Sequence, residues 1–148
     1  SLLNSLNDEL KAAMRAKDTL KLEALRAIKS AVLLAKTATA GDVDLTEEEE
    51  IKLLQKLVKQ RKESIELYEK GGRNELVSIE KQEMEIINSY LPKMMSDDSI
   101  KNIVKSVIES SGANSMADMG KVMPEVMKQG KGLIDGKTAQ KFVSEMLK

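Results

Sequence analysis

An all-α fold is predicted for this 148-residue chain by three observations. Its apolar residues, 41% of the total, are almost all Leu, Ile, Val, Met and Ala, and Ala, Leu and Met rank high in helix propensity. Apolar positions recur at steps of three and four, the period of an amphipathic helix. Turn residues and Pro interrupt that period at only a few points. The resulting plan is a four-helix N-terminal bundle with one long helix, residues 1–92, and a small three-helix C-terminal domain, residues 93–148.

Leu2, Leu3, Leu6, Leu10 and Met14 form the stripe of a short first helix. Asp18 restarts the chain, and Leu22, Leu25, Ile28, Val32 and Ala35 carry a second helix to about Lys36. Thr37 to Asp42 has turn composition and no stripe, which predicts a loop. Thr46 with Glu49 reads as a capping box, and Glu47 to Glu50 suit the positive end of a helix dipole, so a third helix begins near Glu47. Ile51, Leu54, Val58, Arg61, Ile65 and Tyr68 lie on one stripe of it. Gly71-Gly72 ends it after roughly 24 residues, or ~36 Å. A fourth helix carries Leu76, Val77, Glu80, Met84, Ile87 and Leu91 until Pro92 biases Leu91 away from helical geometry, leaving Tyr90 to Met95 as a linker.

Ser96, with Asp97 and Asp98, caps a fifth helix faced by Ile100, Ile103, Val104, Val107 and Ile108. A sixth starts at Ser115, paired with Asp118 in a second capping box. Pro124 falls inside it and opposes the carbonyl of Gly120, which predicts a kink or two short helices meeting there. Asp135 caps the last helix, with Ala139, Phe142, Val143, Met146 and Leu147 on its buried side.

Composition removes most enzyme classes. The chain has neither Cys nor His, which excludes disulfides, thiol nucleophiles, imidazole bases and Cys- or His-based metal sites. Glu80, Glu83 and Glu85 lack the Glu-x-x-His partner of a helical carboxylate metal site, and Glu47 to Glu50 lack the turn glycine of a calcium loop. Ser and Lys are abundant, but no Gly-Ser-rich frame supports a nucleophile. No catalytic residue, metal or cofactor is therefore expected. No apolar run approaches the ~18 residues of a membrane span, and Ser1-Leu2-Leu3-Asn4 lacks a signal pattern. A cytoplasmic protein without a membrane partner is expected.

The 24 basic and 24 acidic residues cancel, so any polyanion must be held by a local patch. Residues 1–92 carry a net charge of −2, residues 93–148 carry +2, and the segment from Lys121 onward carries +3. Lys121, Lys128, Lys131, Lys137 and Lys141 surround a glycine-rich turn marked by Gly120, Gly130, Gly132, Asp135 and Gly136. Gly136-Lys137-Thr138 matches the end of a phosphate loop, but five residues separate Gly130 from Gly136, three separate Gly132 from Gly136, and no strand precedes. The glycines are read instead as a helix stop and turn before an Asp cap. The lysines are either a solvated face or contacts to backbone phosphate. Met94, Met95, Met116, Met119, Met123, Met127 and Met146 are read as gap-filling core. Arg26, Arg61 and Glu80 fall on or beside apolar stripes, and a structural ion pair is expected between Arg61 and Glu80 or Glu83.

These motifs, taken in order, resemble the GatB/YqeY family and its stand-alone YqeY-like members in particular. The likeness rests on Leu25-Arg26, Arg61-Lys62-Glu63-Ser64-Ile65-Glu66-Leu67-Tyr68, Gly72-Arg73, Glu80 and Glu83, and Tyr90-Leu91-Pro92. It continues through Asp118-Met119-Gly120-Lys121-Val122-Met123, Lys131-Gly132 and Asp135-Gly136-Lys137. The resemblance implies a helical bundle joined to a three-helix tail. In the larger relatives, the B subunits of the glutamine-dependent amidotransferase acting on aminoacyl-tRNA, a similar segment contacts the tRNA body while the chemistry resides elsewhere. A label of carbon-nitrogen ligase activity with glutamine as amide donor would then describe the assembly. The resemblance implies a non-catalytic module binding tRNA, not DNA, through the five tail lysines. The alternatives are an accessory factor docking on an aminoacyl-tRNA synthetase or amidotransferase subunit and, last, a participant in the amide transfer itself.

Overall fold

The computed structural model describes residues 2–38, 41 and 43–148. Ser1, and Thr39, Ala40 and Asp42 of the expected first loop, lie outside the described residues. Among the described residues the chain forms seven α-helices and no strand: α1 (Leu2–Ala16), α2 (Thr19–Thr37), α3 (Glu47–Lys70), α4 (Asn74–Asn88), α5 (Asp97–Ser111), α6 (Met119–Gln129) and α7 (Gly136–Leu147). The all-helical fold follows from the apolar stripes, which become the buried positions of each helix.

Packing divides the chain into two compact units, Ser1–Leu91 and Pro92–Lys148. In the first, Leu6, Leu10, Ala13, Ala24, Leu25, Ile28, Val32, Leu54, Val58 and Ile87 make one core, with α3 packed most extensively on α4 and α2 on both α1 and α4. In the second, α5, α6 and α7 pack pairwise around Ile100, Val104, Val107, Val122, Val126, Ile134, Ala139, Phe142, Val143 and Leu147. Met119, Met123 and Met127 line the edge of this core and fill its gaps. Met94, Met116 and Met146 instead stand at 52%, 45% and 40% exposure, so the core reading does not hold for them.

Helix ends are set by side chains and by left-handed residues. The Thr46 hydroxyl accepts from Glu49 N–H at 3.2 Å while the Glu49 carboxylate accepts from Thr46 N–H at 3.3 Å, which closes the capping box of α3. At the other end, Gly72 at φ 70° lets Arg73 N–H reach back to the Tyr68 carbonyl at 2.9 Å. The same motif closes α1, with the Asp18 N–H donating to the Ala13 carbonyl at 3.0 Å, but there the left-handed position is Lys17 at φ 55°.

Around α6 one expectation is corrected and another is narrowed. Ser115 makes no side-chain cap. A short 3-10 turn, Met116–Asp118, intervenes, and the Asp118 carboxylate takes the Asn114 N–H at 3.0 Å instead. One α-helix then runs through Pro124, so of the two expected arrangements the meeting of two short helices does not occur at the proline, and the junction of helical pieces lies at Asp118–Met119. At Gly120 a Cβ would meet nothing within 4 Å, so glycine is not required there for room.

Candidate nucleic-acid interface

The C-terminal turn is built by one close approach and one left-handed pair. Gly130 lies against the buried Ile134, so closely that a Cβ there would sit 2.5 Å from Ile134 Cγ1. Only glycine leaves the space for Ile134 to plug the end of α6. Lys131 and Gly132 follow at φ 50° and 84°. The turn is tied down by Met95 N–H donating to the Leu133 carbonyl at 2.8 Å.

Helix α7 then starts at Asp135, whose Oδ2 accepts from Thr138 N–H at 3.1 Å and from the Thr138 hydroxyl at 2.8 Å. The Thr138 hydroxyl and N–H, with a smaller contribution from Lys137, hold the Asp135 carboxyl below its ordinary pKa. A carboxylate thus takes the N–H that a phosphate at this helix start would need, and its charge repels an anion. This capping opposes a phosphate at the Gly136-Lys137-Thr138 helix start. Gly136 itself is not crowded, since its nearest outside atom, Met127 Cε, would be 3.9 Å from a Cβ.

All five tail lysines are exposed. Lys121 and Lys128 lie seven residues apart on one stripe of α6, with Glu125 between them. Lys137 and Lys141 lie four apart on α7, followed on that stripe by Glu145. Each stripe therefore carries a net charge of only about +1. Lys121 is also partly committed to structure, because its Nζ donates to the Ser111 carbonyl at 3.1 Å, where the end of α5 leaves acceptors open. A sixth lysine, not singled out from sequence, joins the group. Lys101 Nζ lies 4.9 Å from the centroid of the Phe142 ring, and Lys141 Nζ lies 6.0 Å from the same centroid. One aromatic ring thus gathers ammonium groups from α5 and α7. No spacing rule could signal this, since the two residues are forty positions apart and meet only through packing.

In the first unit, Arg61 of α3 stands between two carboxylates of α4, with Nε 3.4 Å from Glu80 Oε2 and 3.3 Å from Glu83 Oε2. Their side chains are 20%, 19% and 13% exposed. Neither Arg61 Nε nor Glu80 Oε2 completes a hydrogen bond in good geometry, so the contact is mainly coulombic. Arg26, by contrast, faces Glu23 at 3.8 Å in an exposed pair. Burial pushes the Glu83 carboxyl above its ordinary 4.5, opposed by Arg61 and reinforced by Glu80 and, more weakly, Glu23. A raised acid pKa gives stability that is complete below about 4.5 and lost as pH rises through the folded value. The Glu83→Gln variant is therefore expected to be more stable than the parent at pH 7, with an advantage in Tm that fades toward pH 4. An advantage that grows on acidification would contradict this electrostatic account.

A cavity of about 400 Å³ lined by Glu9, Asp18, Lys21, Glu85, Ile86, Ser89 and Tyr90 also escaped sequence reasoning. It is assembled from α1, the Asp18 cap and first turn of α2, and the end of α4 with the residues that follow it, so no local pattern announces it. No group of three acidic, Cys or His residues suited to a metal occurs among the described residues, and no helix there is long and apolar enough to cross a membrane.

Among protein families, the model described as Yqey-like protein matches residues 3–147. Three fungal proteins named "Altered inheritance of mitochondria protein 41, mitochondrial" are similar to the chain. That of Lachancea thermotolerans is 40% identical over 90 residues, 61% of this chain and 48% of that protein. Those of Clavispora lusitaniae and Pyrenophora tritici-repentis are 34% identical over 119 residues and 29% over 149. They cover 77% and 99% of this chain, and 66% and 81% of the respective proteins. The match thus spans about half the length of the first relative and just under two thirds of the second. The mitochondrial names overturn the cytoplasmic expectation. That expectation rested on the lack of a leader pattern and of an apolar span, and neither absence assigns a compartment.

Proposed function

We propose, since the chain belongs to the YqeY-like family, that it is a non-catalytic helical module that binds tRNA by shape and charge through the lysines of its second unit. The observation that carries this reading is the convergence of Lys101 and Lys141 on Phe142, with Lys137 one turn before Lys141 on α7. Ammonium groups from two helices held at one place suit contact with neighbouring backbone phosphates, and a surface almost without aromatics suits recognition of structured RNA rather than stacking on single strands. Lys128 and Lys131 extend the surface toward the turn, while Lys121 serves the end of α5 first.

Gel shift with total tRNA, mitochondrial tRNA included, at ~50 mM and physiological salt tests the proposal. The chain is expected to shift tRNA at low salt, and the shift is expected to be lost when Lys101, Lys137 and Lys141 become Ala together. Lys121→Ala alone is expected to cost thermal stability more than binding, because it opens the Ser111 carbonyl. Binding that survives the triple substitution unchanged would overturn the reading. The proposed setting is the tRNA-dependent amidotransferase or a synthetase, with the chain as binding partner and not as carbon-nitrogen ligase. Purified chain given Glu-tRNA, glutamine and ATP is accordingly expected to yield no Gln-tRNA.

A further inference from the structure

A groove of about 510 Å³ runs between α2 and α3, floored by apolar side chains and edged on one side by lysine. Leu34, 73% exposed, stands at its α2 side, and Ala35, Leu53 and Leu57 form its floor. Lys52 and Lys56, four residues apart on α3, supply the charged edge, and no acidic side chain lines it among the described residues. Lys52 also pairs with Glu48 at 3.2 Å, whereas Lys56 has no carboxylate partner among the described residues. A helix laid over Leu34 and the apolar floor would remove from water the apolar surface that is open there.

From this we infer that the groove receives an amphipathic α-helix of a partner protein, one with an apolar stripe flanked by Asp or Glu on the side that faces α3. The dimensions agree. From Lys52 to Gln60 the groove extends about 12 Å, roughly two helical turns, which accommodates apolar anchors at positions i, i+4 and i+7. The lysines on one edge fix the polarity of the charge and so favour an acidic helix over a basic one. A contact of this length is smaller than a standard protein interface, which places the complex in the transient class.

The probe is a fluorescein-labelled helical peptide of about fourteen residues with Leu at i, i+4 and i+7 and Glu along the flanks, and a companion carrying Lys in place of every Glu. Fluorescence anisotropy with the full chain is expected to show saturable binding of the acidic peptide and at least tenfold weaker binding of the basic one. Leu34→Ser is expected to weaken the acidic peptide about tenfold without loss of folding, since that side chain is already largely in water. Lys56→Glu is expected to weaken it similarly and to flatten its salt dependence. Equal binding of the two peptides, no binding of either, or insensitivity to Leu34→Ser would overturn the inference. So would self-association in sedimentation equilibrium that Leu34→Ser abolishes, because a second copy of the chain would then be the occupant.

Discussion

Replacing Arg61 with Leu is expected to lower the unfolding free energy by about 2 kcal/mol at pH 7, as read by urea denaturation. Arg61 faces Glu80 and Glu83 across α3 and α4, at 3.4 and 3.3 Å. Its removal leaves two carboxylates side by side at 19% and 13% exposure. Removing one partner of a fully buried pair costs about 3–5 kcal/mol, and the residual exposure at this site reduces that figure through solvent screening. The hydrophobic gain of Leu offsets a further part. The sign of the pH dependence identifies the mechanism. Without Arg61 the Glu83 carboxyl loses the charge that opposes its rise, so the folded state of the variant binds protons more readily than its unfolded state, and its deficit shrinks as pH falls through the carboxylate range. A deficit that stays constant from pH 7 to pH 4 would mean that Arg61 acts by packing alone.

Gly130→Ala is expected to destabilise the second unit by about 1–2 kcal/mol, while Gly120→Ala, ten residues earlier on α6, is expected to stabilise it by about 0.5–1 kcal/mol. Both positions have right-handed backbone, so in each the loss of glycine freedom in the unfolded chain favours the variant. At Gly120 nothing opposes that gain. At Gly130 the new methyl meets Ile134, which is 4% exposed and cannot swing outward without leaving the core. Overpacking of that kind costs about 1–3 kcal/mol and so outweighs the entropic gain. Pairing Gly130→Ala with Ile134→Ala should then cost less than the sum of the two single changes, because the smaller side chain relieves the clash. Strict additivity would show that the close approach is not what selects glycine.

The helices were legible because each apolar stripe meets a core, and the start of α3 was legible because its capping box needs only Thr46 and Glu49, three positions apart. What escaped was set by neighbours distant in sequence or by competing local bonds. Ser115 and Asp118 have the spacing of a capping box, yet Asp118 finds Asn114 N–H and a 3-10 turn forms instead. Pro124 passes within a single helix, and the role of Gly130 depends on the rotamer and burial of Ile134, which no glycine count conveys. The site was legible only in composition. Five lysines were visible, but their ranking was not: Lys121 turns back to α5, whereas Lys101 comes forward from α5 to share Phe142 with Lys141.

The salt dependence of tRNA affinity tests the central claim most directly. Each lysine that neutralises a phosphate releases counterion, so the slope of log K against log salt counts the contacts. Relative to the parent chain, the triple variant Lys101→Ala, Lys137→Ala, Lys141→Ala is expected to show a slope shallower by about 1 per lost contact, with affinity reduced evenly across tRNA species. An unchanged slope, or a loss confined to one tRNA, would contradict phosphate contact by this surface.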